Sequence, residues 1–83
     1  MTVSKEALYN QVKDLVCEIL DIEHKDFDPS KSFADMGMDS LASFALVKKL
    51  QTIVGDSFEL QKNTVFKQKY MNSLVDYIYS LLA

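Results

Sequence analysis

The sequence predicts an all-α fold: a small four-helix bundle with a long loop between helices 1 and 2 and a short third helix. Three observations carry this. Only two glycines and one proline occur in 83 residues, too few for the many tight turns of an all-β chain. Apolar residues recur at helical rather than alternating spacing. The 48% apolar fraction is enough for one core, and a chain this short buries roughly 60–65% of its unfolded surface. A single domain over residues 1–83 follows, with neither an internal repeat nor a low-complexity segment.

Helix 1 spans about residues 4–20. Leu8, Val12, Leu15, Val16 and Ile19 mark one helical face, with Ser4 as the N-cap and Glu6 in the first turn. Tyr9, Lys13 and Asp14 lie off that stripe. The loop 21–39 follows, long enough to suggest a function. Asp28-Pro29-Ser30 is a turn signal within it. Ile22 and Phe33 are the expected anchors of the loop, and Ser32 can cap a short turn that reaches Asp35. Helix 2 spans about 40–54, from an Asp39 cap to Gly55. Its expected buried stripe is Leu46, Val47, Leu50, Ile53 and Val54. Phe44 fits either the core or a partner contact. The link Asp56–Lys62 could be extended. Asn63 or Thr64 can cap helix 3, about 64–70. Helix 4 spans about 72–82 and buries Leu74, Val75, Ile78 and Leu81, with Tyr77 and Tyr79 on its margins.

Charge is uneven along the chain. Residues 1–39 carry nine acids against four lysines, and residues 40–83 carry five lysines against three acids. With no arginine and a net charge of −3, nucleic acid is not an expected partner. Asp35 and Asp39 are candidates for steering a basic partner. Cys17 is the only cysteine and falls on the apolar face of helix 1, which suits a buried structural thiol. Met1–Ser4 does not read as the start of a signal peptide, and no apolar run reaches the ~18–20 residues of a membrane span. The expectation is a cytoplasmic monomer without a membrane partner.

The chemistry converges on Ser32–Leu41, Ser-Phe-Ala-Asp-Met-Gly-Met-Asp-Ser-Leu. Gly37 permits a tight turn into the Asp39 cap, and Ser40 begins the helix at the positive end of its dipole. A phosphate on that hydroxyl would be favoured there. Autonomous hydrolysis is not expected. A serine nucleophile needs a base, and the one histidine, His24, lies sixteen residues upstream in an acidic loop. Asp26 and Asp28 are spaced like the start of a calcium loop, but its glycine and terminal glutamate are missing. Neither catalytic residues nor a metal site is expected. A serine without its own base suits modification by an external enzyme.

The Asp-x-Gly-x-Asp-Ser-Leu pattern of Asp35 to Leu41, within this order of helices, resembles the attachment motif of acyl carrier proteins. The resemblance covers the whole chain. It implies that Ser40 accepts 4′-phosphopantetheine from coenzyme A through a phosphopantetheinyl transferase. The arm's thiol would then hold acyl groups as thioesters for a ketosynthase, an acyltransferase or other synthase enzymes. Asp39 would help the transferase hold metal and substrate, and Leu41 matches a usual partner contact. Asp35, Met38, Leu41, Phe44, Ala45 and Lys48 are the implied docking residues. Met-Gly-Met-Asp-Ser-Leu is more similar to polyketide-synthase carriers than to peptidyl carriers, which usually show Gly-Gly-x-Ser. Two alternatives remain: a peptidyl or aryl carrier, and a helical docking domain with an unused motif. Two departures stand out. Ala45, Lys48 and Lys49 replace the acidic character typical of fatty-acid carriers. Phe66–Tyr70 lacks the proline of a common polyketide-carrier pattern, so helix 3 is expected to run longer or to bend less sharply into helix 4.

Overall fold

The computed structural model describes residues 4–82; the expectation about a leader at Met1–Ser4 therefore lies, except for Ser4, outside the described residues. Four α-helices follow in order: α1 (Lys5–Leu20), α2 (Ser40–Val54), α3 (Thr64–Gln68) and α4 (Met71–Leu82). Single 3-10 turns occur at His24–Asp26 and Gly55–Ser57. Helix α1 packs on both α2 and α4, and α3 bridges α2 and α4.

Helix α1 starts where the Ser4 hydroxyl accepts the Ala7 N–H at 3.1 Å. It buries Leu8, Val12, Val16 and Cys17, while Leu15 and Ile19 are only half-buried at the edge of the stripe. Asp21 ends it in the left-handed region (φ 55°), donating its N–H back into the last turn. Burial pushes the Cys17 thiol above its ordinary pKa, with Lys13 partly opposing. A neutral, buried thiol suits a packing role.

The loop is fitted to the bundle along its length. Phe27, Phe33 and Met38 are its buried anchors, and Ile22 is only half-buried. The Lys13 ammonium sits over the Phe27 ring at 5.3 Å, and His24 meets Asp14 at 3.1 Å. Asp28 closes a turn by accepting the Ser30 amide at 3.0 Å and the Ser30 hydroxyl at 2.6 Å, which holds its carboxyl below the usual range. The Ser32 hydroxyl accepts the Asp35 N–H at 3.1 Å, the short turn that sequence suggests. One link is invisible in sequence: the Phe33 N–H donates to the Lys69 carbonyl at 2.8 Å, part of an isolated bridge between Ser32 and Tyr70.

That link explains the correction to the third helix. Helix α3 ends at Gln68 rather than about residue 70, and α4 begins at Met71 rather than about residue 72. Lys69 turns the chain with φ 39°, a conformation disfavoured for a residue with a Cβ. Without a proline, the reversal into α4 falls at Lys69, whose carbonyl accepts the Phe33 N–H. Met71 then enters the core. Neither Asn63 nor Thr64 supplies a side-chain cap to α3: Thr64 is buried, and its hydroxyl donates backwards to the Gln61 carbonyl at 2.6 Å.

The link after α2 is held by one side chain. The Gln51 amide donates to the carbonyls of Gly55 at 2.8 Å and Phe58 at 2.7 Å, and its oxygen accepts the Leu60 N–H at 2.8 Å. Leu60 is thereby held in the core while Phe58 stays exposed. Three hydrogen bonds, two of them partly buried, at about 0.5–1.5 kcal/mol each make Gln51→Ala a loss of about 2–3 kcal/mol. The urea midpoint should fall accordingly, with faster amide exchange at Leu60; an unchanged midpoint would remove the staple role. In α2 itself, Ser43, Leu46, Val47 and Leu50 are buried, whereas Ile53 and Val54 are half-buried. Ser43 is the surprise, since its hydroxyl is fully buried without a hydrogen-bond partner among the described residues.

Candidate functional site

The site is the start of α2 and the surface that runs from it. Asp39 has extended backbone geometry, and its Oδ1 accepts the Ala42 N–H at 2.8 Å. Its carbonyl accepts the Ser43 N–H at 2.9 Å, so the cap closes the first turn from both side chain and backbone. Gly37 reaches this cap with φ 98°. A Cβ there would meet nothing within 4 Å, so glycine is required by the dihedral rather than by space. The loop backbone is held by the Met38 N–H donating to the Phe33 carbonyl at 3.0 Å.

Ser40 is exposed as the first residue of a 15-residue helix. The aligned peptide dipoles favour negative charge at that end. His24 is paired with Asp14 of α1, and neither belongs to the α2 start. Among the described residues, no group of three or more His, Cys, Asp or Glu side chains could hold a metal ion. The arrangement presents a hydroxyl and an anion-favouring helix end. This is compatible with a phosphate ester there.

Of the expected docking residues, Asp35, Leu41, Phe44, Ala45 and Lys48 are exposed. Met38 is a correction: it is only 4% exposed and belongs to the core, because the turn at Gly37 directs the chain inward before the cap. Phe44 is settled on the outer face at 42% exposure, and Leu41 is 79% exposed. Helical spacing places Leu41, Phe44, Ala45 and Lys48 on one face. They line a groove of about 630 Å³ with Val47 and Gln51. Its far wall is Glu59, Leu60 and Lys62, which the sequence did not single out as site residues. The available signal was Leu60, an apolar residue between polar neighbours.

The fold and this site have the form of a carrier domain, a small helical bundle with an exposed serine at the head of α2. The chain belongs to the phosphopantetheine attachment site family, which it matches over residues 10–78. It is accordingly a phosphopantetheine-binding carrier domain, and 4′-phosphopantetheine is its covalent cofactor. Among its relatives, the polyketide synthase PksL of Bacillus subtilis is 30% identical over 61 residues, 74% of this chain. That match spans about 1% of PksL. Among solved structures, a free-standing peptidyl carrier protein from an uncharacterized Acinetobacter baumannii secondary metabolic pathway superposes with a TM-score of 0.85 at 22% identity. The match covers 96% of this chain and 98% of that one. The HMG-ACPI domain of the CurA module from Lyngbya majuscula gives 0.83 at 18% identity, covering 98% and 80% respectively. These two show the shared fold.

Proposed function

We propose that this chain is a non-catalytic acyl carrier of the polyketide-synthase type, with Ser40 as the attachment residue. The observation that carries the proposal is the exposed Ser40 at the capped start of α2, with the chain's one histidine beside Asp14 of α1. A phosphopantetheinyl transferase supplies what the site lacks. The Ser40 oxygen attacks the pantetheine-side phosphorus of coenzyme A, the bond to adenosine bisphosphate breaks, and the hydroxyl proton passes to a base on the transferase. The attached arm supplies a thiol that holds acyl groups as thioesters. The polyketide reading is favoured over a peptidyl one by Met36-Gly37-Met38-Asp39-Ser40 and by the likeness to PksL. In this reading the partners are the transferase and synthase enzymes such as a ketosynthase or an acyltransferase, and the setting is the cytoplasm. Asp35, Leu41, Phe44, Ala45 and Lys48 form the docking face.

The test is incubation with coenzyme A and a broad-specificity transferase, read by intact mass. One phosphopantetheine per chain is expected, and an unchanged mass overturns the proposal. Asp39 has two separable parts in it. As a cap it contributes about 1 kcal/mol, lost in Asp39→Ala and kept in Asp39→Asn. As a carboxylate it helps the transferase hold metal and substrate, so Asp39→Asn should keep wild-type stability while its modification slows markedly. Equal modification rates for wild type and Asp39→Asn would leave Asp39 a cap alone.

A further inference from the structure

We infer that the synthase enzyme docking on the α2 groove meets it with an acidic surface around an apolar pocket. This rests on the carrier reading above and names the chemistry of its partner. Helix α2 carries no acid from Ser40 to Val54, while Lys48 and Lys49 project from its exposed side. Across the groove stands Lys62, and the only acid in the lining is Glu59. The side-chain ion pairs among the described residues are Lys5–Asp76, Lys25–Glu23 and His24–Asp14, so Lys48 and Lys62 stay available to a partner. Phe44 and Leu41 line the same groove, 42% and 79% exposed.

An exposed aromatic next to an exposed leucine costs hydration unless a partner covers them, and aromatic anchors concentrate binding energy. The far wall is preformed, because Gln51 fixes Leu60 through the Leu60 amide. A rigid wall loses little freedom on docking. The serine end of α2 is opposite in sign, with Asp39 at its cap and Asp35 exposed in the loop before it. The face is therefore polarised along α2. The partner must place acids at the lysine end, which also sets its orientation towards Ser40.

The test uses ketosynthase domains from polyketide synthases as probes. One group is chosen for acidic, the other for basic, residues around the carrier entrance. The protein is loaded on Ser40 with a hexanoyl arm, confirmed by mass, and the second-order rate of acyl transfer is measured. Acidic-entrance domains should react faster, with rates that fall as salt is raised from about 20 to about 500 mM, where the Debye length shrinks several-fold. Lys48→Glu combined with Lys62→Glu should slow those domains about tenfold or more and speed the basic ones. Both lysines are exposed, and a thermal melt checks that the variant folds. Equal rates for the two groups, preference for the basic group, or indifference to the charge reversal would overturn the inference while leaving the carrier reading intact. Failure to load Ser40 would count against the carrier reading instead. Association rates of the unmodified protein with the same domains then decide the inference by the same comparison. Dimerisation through the groove, seen by sedimentation and abolished by Phe44→Asp, would also overturn it.

Discussion

Ser40→Ala is expected to abolish phosphopantetheine addition while leaving the fold unchanged. The hydroxyl is exposed, and the Ala42 amide is satisfied by Asp39 rather than by Ser40. Alanine is also a strong helix former, so the first turn of α2 loses nothing by the change. Stability should stay within about 0.5 kcal/mol of wild type, as for other surface substitutions away from special contacts. Modification, by contrast, is all or none, because the oxygen that would form the phosphodiester is gone. Intact mass after transferase treatment checks the first part, and a urea titration checks the second. Addition that survives in Ser40→Ala would place the attachment elsewhere, with Ser43 an unpromising substitute because its hydroxyl is fully buried.

The second large effect is structural. Phe33→Ala should cost about 3–5 kcal/mol, the usual range for deleting a buried aromatic ring. Phe33 is only 1% exposed, and its backbone bonds both to the Lys69 carbonyl and from the Met38 amide. The buried ring therefore sits on the one residue whose backbone ties the loop entering α2 to the reversal between α3 and α4. In a domain of this size the melting temperature should fall by roughly 12 °C or more. Phe66→Ala is the matched control. Phe66 is exposed beside the same junction, so its loss should stay within about 0.5 kcal/mol. Thermal melts of the pair decide it; similar shifts for both would mean that the loop is not held by the Phe33 ring.

The start of α2 was legible because its signals are local. Asp39 caps within three residues, Gly37 permits the left-handed turn beside it, and Leu46, Val47 and Leu50 repeat at helical spacing. The turns at Asp28–Ser30 and Ser32–Asp35 were legible for the same reason, since each is a side chain bonding a nearby amide. The groove was half legible. Its α2 side follows from helical spacing, but its Leu60 and Lys62 side depends on how the link after α2 folds back. Gln51 decides that, and nothing in a glutamine's sequence context announces three simultaneous hydrogen bonds.

The misplaced residues have two causes, one local and one distant in the chain. Met38 looked like a surface neighbour of Ser40, because it stands two residues away on a loop. Gly37 turns the backbone so that Met38 faces the core and Asp39 faces out. The end of α3 was misjudged because the local sequence contains no helix breaker. It ends where Lys69 turns at φ 39°, and the Lys69 carbonyl accepts the amide of Phe33, thirty-six residues earlier in the chain.

By itself the sequence determined the helical class, the capped serine at the head of α2 and the attachment motif around it. These rest on periodicity and on hydrogen bonds spanning a few residues. Only the tertiary structure decided that the loop is clamped to the α3–α4 junction, and that α2 and the Gln51-held link form a lysine-edged apolar groove. Those features need groups far apart in the chain to meet. Such meetings are set by packing the whole core at once, which no local pattern of residues encodes.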